Sequence, residues 1–278
     1  MSQRLLVAIP LCDYEPIATA IWHRRTTHYI VRACLASLAR AVRAVRTPIT
    51  LCLLADRCTD RFVHMAEDAL KSLDPRTIDN SVLGFGLDRT ALPDKFQHIV
   101  NQFFTTMELS AGHDVMYFCE QDYLFKRDAL ESALAAFAEI PEVNVLSPFD
   151  HPDRHRADRE SEYGRHRYFE TSRGRWKSVA STNGNFMWRV PFVERKAAWL
   201  EETYKSSSDL RLDFRVTNTL FREGELLLCP ERSLVQHYRL DGSNASPTFG
   251  FSARLAATRP IGRAISNWRR LSARVTAA

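Results

Sequence analysis

Two carboxylates close the apolar run DVMYFCEQDYLF, residues 114 to 125: Glu120 and Asp122, one glutamine apart, at the end of a stretch whose aliphatic and aromatic content fits a buried strand. Acids at the carboxyl end of such a strand offer hard oxygens, the ligand type that Mg2+ and Mn2+ prefer. The competing reading of an acid pair after a strand is the start of a turn or a helix cap, so the other polar residues near strand ends matter. His237 in LVQHYRLDG ends a late apolar run and offers an imidazole nitrogen; the alternative is a hydrogen-bonded strand histidine. Asp56 ends PITLCLLAD, where it could equally cap the next helix. Asp213 lies in RLDFRVTNTLFREG, a helical pattern with Gly224 placed to end it, and could instead pair with Arg211.

The composition restricts what these residues belong to. A chain of 278 residues, 45% hydrophobic, can bury the core of one large α/β domain or of a domain with a small appendage. No apolar stretch approaches the roughly 18 to 20 residues that cross a bilayer, and Pro10 interrupts the N-terminal apolar run before a secretory core forms, so a soluble cytoplasmic protein is expected. The six cysteines are scattered without a CxxC pair, which reads as buried reduced thiols. His151 and His155 in HPDRH have metal-like spacing but no cysteine partner nearby, which argues against zinc. The formal charge of +5 comes largely from arginine, which suits anionic partners.

Strand and helix patterns alternate. RLLVAIPL and PITLCLLAD read as buried parallel strands joined by the helical THYIVRACLASLARAVRAV; DRFVHMAEDALKSL reads as a helix, SVLGFG as a third strand, PDKFQHIVNQFFTTMELS as a helix and HDVMYFCE as a fourth strand. That order points to a doubly wound, mostly parallel sheet flanked by helices, whose ligands bind beyond the carboxyl ends of the strands. The charged run from Asp150 to Trp176 reads as a long exposed loop. SVASTNGNFMWRVPFVERKAAWLEETY reads as a strand and turn leading into a helix, and ELLLCPERSLVQHYRLDG supplies one or two final strands.

Four landmarks make residues 4 to about 240 resemble a glycosyltransferase of the GT-A fold, most like the family 2 enzymes. VAIPL is similar to the family's strand running into Ile-Pro; LLADRCTD resembles Asp-Asp-Gly-Ser-Thr-Asp, with Ala55 in place of the first acid; CEQDYLF occupies the position of the Asp-x-Asp motif, with Glu120 in place of its first Asp; and RLDFRVTNTLFREG resembles the family's Glu-Asp before a helix, with Leu212 in place of the Glu. The resemblance implies a nucleotide-binding half to residue 125, an acceptor-binding half from 126 to 245 with the charged loop 150–176, and a basic helical tail over 246–278. It implies nucleotide-sugar contacts from Pro10, Asp13, Asp56, Arg57, Lys95, Glu120 and Gln121, Mn2+ or Mg2+ on Asp122 and His237, and Asp213 as catalytic base. The turn Asn183, Gly184, Asn185 is the candidate acceptor surface, with a plain hairpin turn as its alternative.

The chemistry implied is transfer of a sugar, a hexose by preference, from a nucleotide-diphosphate sugar to an acceptor hydroxyl, with inversion by direct displacement. The metal would offset the charge developing on the leaving diphosphate. A glycan, a lipid-linked sugar or a small molecule would serve as acceptor, ahead of nucleic acid. Two other readings use the same sheet. A nucleotidyltransferase is disfavoured because IPLCDYEP has no glycine-rich phosphate loop, and a non-catalytic nucleotide-sugar-binding protein would dispense with the base. In the tail, Ile261, Ile265, Trp268, Leu271 and Val275 form one apolar stripe after Pro260, with Arg263, Arg270 and Arg274 largely on another face. A helix over 259–278 would dock on the protein, join two copies of the chain in a homodimer, or lie peripherally on the inner face of a membrane.

Overall fold

The structure, a computed structural model, describes residues 3–13, 20–56, 58–71, 73, 95–155, 166–182, 184–205, 212–238 and 246–250, with 20–27, 56, 95–99, 205 and 212–213 in backbone only. Ten strands are described: β1 (Leu5–Cys12), β2 (Ile49–Asp56), β3 (Val115–Cys119), β4 (Tyr123–Phe125), β5 (Val143–Leu146), β6 (Tyr168–Thr171), β7 (Gly174–Ser178), β8 (Asn185–Arg189), β9 (Leu226–Pro230) and β10 (Val235–His237). The helices are α1 (Ala20–Ala44), α2 (Asp60–Leu70), α3 (Lys95–Leu109), α4 (Ala129–Glu139), α5 (Val190–Lys205) and α6 (Leu212–Arg222).

Eight strands form one sheet in the order β2-β1-β3-β8-β5-β9-β7-β6. Strands β1, β2 and β3 are parallel, β8 runs against both β3 and β5, β9 is parallel to β5, and β7 and β6 complete the edge as an antiparallel hairpin. All but β7 and β8 therefore point the same way. Their carboxyl ends share one edge of the sheet, and β8 starts from that edge because Asn185 pairs with Cys119.

Strict alternation along β1 explains why helices cover both faces. Leu5, Val7, Ile9 and Leu11 enter one core with α1, α2 and α4, while Leu6 and Ala8 enter a second core with α3, α5 and α6. Val115, Tyr117 and Cys119 divide from Met116 and Phe118 in the same way. Each large apolar side chain fully buried here contributes about 1.5 to 3 kcal/mol. Phe103 anchors the second core, stacking on Tyr204 at 4.7 Å and meeting Phe118, Phe186 and Trp188 edge-on. Thr59 caps α2 by accepting the Phe62 amide hydrogen, and Gly224 takes φ 92° just past α6, where a side chain would be strained.

One expectation changes. In its described part the charged run 150–176 is no plain exposed loop: it holds a 3-10 turn (Pro152–His155), most of the β6–β7 hairpin and a fully buried Trp176, and its Asp150 is buried against Arg154, His155 and Lys177. The sheet is mostly parallel, as expected, with β7 and β8 reversed. The expected strand SVLGFG and the tail helix over 259–278 lie outside the described residues. Among the described residues no helix is long and apolar enough to cross a membrane.

Candidate metal and nucleotide site

The carboxyl edge gathers the polar residues. Beyond β3 the chain turns through Glu120, Gln121 and Asp122 into β4, which pairs antiparallel with β10 so that His237 stands opposite Tyr123. This pairing, with the Tyr238 amide donating to the Asp122 carbonyl at 2.8 Å, brings together residues 115 positions apart. His237 Nε2 lies 2.9 Å from Asp122 Oδ2, and its ring stacks on Tyr123 at 4.8 Å. One ligand atom from each of Glu120, Asp122 and His237 can be chosen so that all lie within 4.8 Å of one another.

Asp122 supplies the test of whether a cation fits. Its Oδ1 is buried and has no hydrogen-bond partner. A buried carboxylate oxygen left unpaired costs about 1 to 3 kcal/mol or more. An ion held by two carboxylates and an imidazole would satisfy it, and that oxygen-rich set suits Mn2+ or Mg2+.

Gly184 adjoins the cluster. A Cβ built there would meet Glu120 Cδ and Oε1 at 2.7 Å and Oε2 at 2.9 Å, so the Glu120 carboxylate occupies the space a side chain would take. Asn185 is a correction: it is fully buried, accepts from Tyr117 Oη at 2.7 Å and donates to Cys119 Sγ, so it locks β8 to β3 instead of facing an acceptor. Asn183 and Arg57 lie outside the described residues.

The structure places the remaining predicted residues as follows. Pro10 sits within β1 opposite Leu54, and the strand continues to Cys12, which pairs with Asp56 at the same edge. Asp13 is buried; its Oδ1 meets His28 Nε2 at 2.7 Å and its Oδ2 accepts from Thr59 Oγ1 at 2.7 Å. It therefore ties β1 to α1 and to the start of α2. Gln121 accepts from the Cys12 amide and donates to the Cys12 carbonyl. Lys95 opens α3 and Asp213 lies in the first turn of α6. One turn beyond Asp213, Thr217 Oγ1 accepts from the Thr182 amide at 2.9 Å, and Asn218 donates to the Ala180 carbonyl. These bonds dock α6 on the segment leading to Gly184.

Sequence reasoning missed the residues behind His237. Phe149 meets Tyr123, His151 and His237 edge-on. Asp150 is fully buried at the end of the β5 connection, with Lys177 Nζ at 3.1 Å, His155 Nε2 at 2.7 Å, Thr248 Oγ1 at 2.9 Å and Arg154 Nη1 at 3.9 Å. Burial alone would raise its pKa, but Lys177, Arg154 and His155 outweigh that and hold the carboxyl below its usual value. The signal was present in VNVLSPFD, an apolar run ending in an acid, the pattern that had marked Asp122.

His151 and His155 do not converge on a metal. His155 binds Asp150, whereas His151 Nδ1 accepts from the Asp153 amide at 3.2 Å. The pKa of His151 is pushed down to about 4 by burial first, then by Arg154. The unfolded ring takes up a proton near pH 6.5 that the folded ring refuses until about pH 4. The stability contributed by the neutral ring is thus full above pH 6.5 and is lost as pH falls through that window, to the extent of about 1 to 3 kcal/mol. Urea midpoints should fall from pH 7 to pH 4.5 in the wild type and distinctly less in His151→Phe. Parallel declines would show that the ring is not responsible.

No family model matches the sequence, and no curated relative does. The solved structures show the fold. S. aureus TarS 1-349 superposes with a TM-score of 0.52 and 13% identity, over 84% of this chain and 59% of that one. The same TarS fragment in complex with UDP-GlcNAc gives 0.52 and 13%, over 93% and 66%. The fold is GT-A. A mannosyltransferase from Pyrobaculum calidifontis in complex with GDP-Man and Mn2+ reaches a TM-score of 0.49 with 13% identity, over 84% of this chain and 59% of that one, too slight a likeness to support anything further. This GT-A chain spans roughly three fifths to two thirds of the TarS fragment that it matches.

Proposed function

We propose that the chain is a metal-dependent glycosyltransferase that moves a sugar, a hexose by preference, from a nucleotide-diphosphate sugar to an acceptor hydroxyl. The observation that carries this reading is the unpartnered buried oxygen of Asp122 within the Glu120, Asp122 and His237 cluster, at the ligand-binding edge of a GT-A sheet. The TarS structure with UDP-GlcNAc supports a donor of this class.

Glu120, Asp122 and His237 would hold Mn2+ or Mg2+. When bound, such an ion offsets the charge that develops on the leaving diphosphate. The chain's own residues do the rest. Asp13 and Gln121 hold the ends of β1 and β3, where the nucleotide would lie across the sheet edge. Gly184 leaves Glu120 room, and the segment around it borders the acceptor side. Asp213 would take the proton of the acceptor hydroxyl as its oxygen attacks the anomeric carbon. The bond to the diphosphate breaks with its electron pair leaving on the phosphate oxygen, and the anomeric centre inverts.

Nucleotide-sugars screened by thermal shift with and without Mn2+ or Mg2+, with release of nucleoside diphosphate measured alongside, test the reading. A donor that stabilises the protein only with metal and is turned over supports it; metal-independent shifts with no product overturn it. With that donor, Asp213→Asn should lower turnover about a hundredfold while donor affinity stays within about twofold of wild type. Full activity in this variant would remove Asp213 from the mechanism.

A further inference from the structure

The pairing of β1 with β3 stops at Ala8 and Phe118, although β1 continues beside β2 as far as Cys12. Had the same register continued, Cys12 would face Asp122. Instead the chain after Cys119 turns away, and the side-chain amide of Gln121 spans the gap. Its Oε1 accepts from the Cys12 amide at 3.0 Å and its Nε2 donates to the Cys12 carbonyl at 2.9 Å. One amide side chain thus meets both polar groups of one residue, as an adjacent strand's backbone would.

Its position makes this bond consequential. Gln121 separates Glu120 from Asp122, while Cys12 precedes Asp13 and pairs with Asp56. Any displacement of the 120–122 turn from the tip of β1 would move the two acids relative to the edge where Asp13 and Asp56 lie. The Asp122 carbonyl is separately tied to Tyr238, which fixes the turn only on its β10 side.

We infer that Gln121 is a positioning residue: its amide, engaged by the Cys12 backbone, holds the Glu120 and Asp122 carboxylates in the arrangement that receives the cation. This deepens the proposed function and rests on it. Neither an isosteric apolar side chain nor a carboxylate can replace the amide. Methionine makes neither bond, and glutamate accepts from the Cys12 amide but sets an anion against its carbonyl.

Binding of Mn2+ alone, measured by the loss of the free-ion EPR signal on full-length protein, tests the inference. Expected affinities run wild type, then Gln121→Glu, then Gln121→Met, with the methionine variant weaker by about tenfold, as when a group that orients metal ligands is removed. Melting of the metal-free Met variant should stay close to wild type, and with donor present its KM for Mn2+ should rise more than its kcat falls. If the methionine variant fails to fold, the glutamate variant carries the comparison. Equal affinity in the variants and wild type overturns the inference, as does tighter binding by the glutamate variant, which would mean that the side chain itself reaches the ion. A wild type that binds no Mn2+ overturns the metal site itself, and is told apart by failing before any variant is compared.

Discussion

On the proposed function, replacing Asp122 by asparagine should leave a folded protein whose transfer rate falls roughly a hundred- to a thousandfold, the loss expected when a group that stabilises transition-state charge is removed from a preorganised site. The variant keeps the shape of the side chain and its carbonyl oxygen but not the charge. In the absence of metal, the wild type carries a buried Asp122 Oδ1 with no partner. Neutralising that group removes a partly buried negative charge at the cost of its ion pair with His237, so the metal-free variant should melt close to the wild-type temperature. Mn2+ should raise the wild-type melting temperature and leave that of the variant almost unchanged, because binding to the native state alone is what stabilises it. Melting curves with and without Mn2+, beside initial rates with a competent donor, measure both halves. A variant still stabilised by Mn2+ as strongly as wild type would remove Asp122 from the metal site, and one that melts far lower without metal would show that the carboxylate is structural.

How much of this was legible in the sequence follows from which interactions are local. The continuous apolar runs LLVAIPL and VMYFC announced strands buried on both faces, and Gly224 announced the end of α6, because each pattern is written within a few residues. The meeting of Asp122 with His237 was also expected, since strand ends at one sheet edge meet whatever their separation in the chain, whereas Glu120, expected as a nucleotide-sugar contact, lies within reach of both. The reversal of β8 was not legible. FMWR has the same apolar content as a parallel strand, and direction depends on where the chain re-enters the sheet. Asn185 was misplaced for a related reason: NGN reads as a polar turn, but β8 begins at Asn185 and carries its amide inward to Tyr117. The charged run was misread because solvation is the default for Arg, Asp and His. Lys177 from β7 and Thr248 from beyond β10, together with the run's own Arg154 and His155, make a buried Asp150 tolerable.

That buried carboxylate should be the largest single contributor to stability among the charged residues of the site's surroundings. Asp150 is fully buried, and Lys177 and Arg154 are almost so. Removing one partner of such a group strands the other charges in a medium that solvates them poorly, at a cost of about 3 to 5 kcal/mol, against a total stability of roughly 5 to 15 kcal/mol. Asp150→Asn should therefore lower the urea midpoint sharply at pH 7. Lys177→Met in the same chain should recover part of the loss, because the most closely opposed cation is then gone, and the double variant should be more stable than the two single effects predict by addition. The pH dependence follows from the depressed pKa of Asp150. Its contribution is complete above the unfolded value of about 3.9 and is lost only as pH falls below that. The gap between wild type and Asp150→Asn should accordingly persist at pH 5, where the His151 effect is already acting, and close in stronger acid. The loss should also reach the proposed metal site. The same carboxylate fastens Thr248 and the 150–155 turn, and that turn places Phe149 and His151 behind His237. Mn2+ affinity should weaken in Asp150→Asn and recover partly in the double variant. A variant within about 0.5 kcal/mol of wild type, the usual range for surface substitutions, would mean that water or rearrangement compensates the buried cations and that the cluster does not hold this edge of the sheet together.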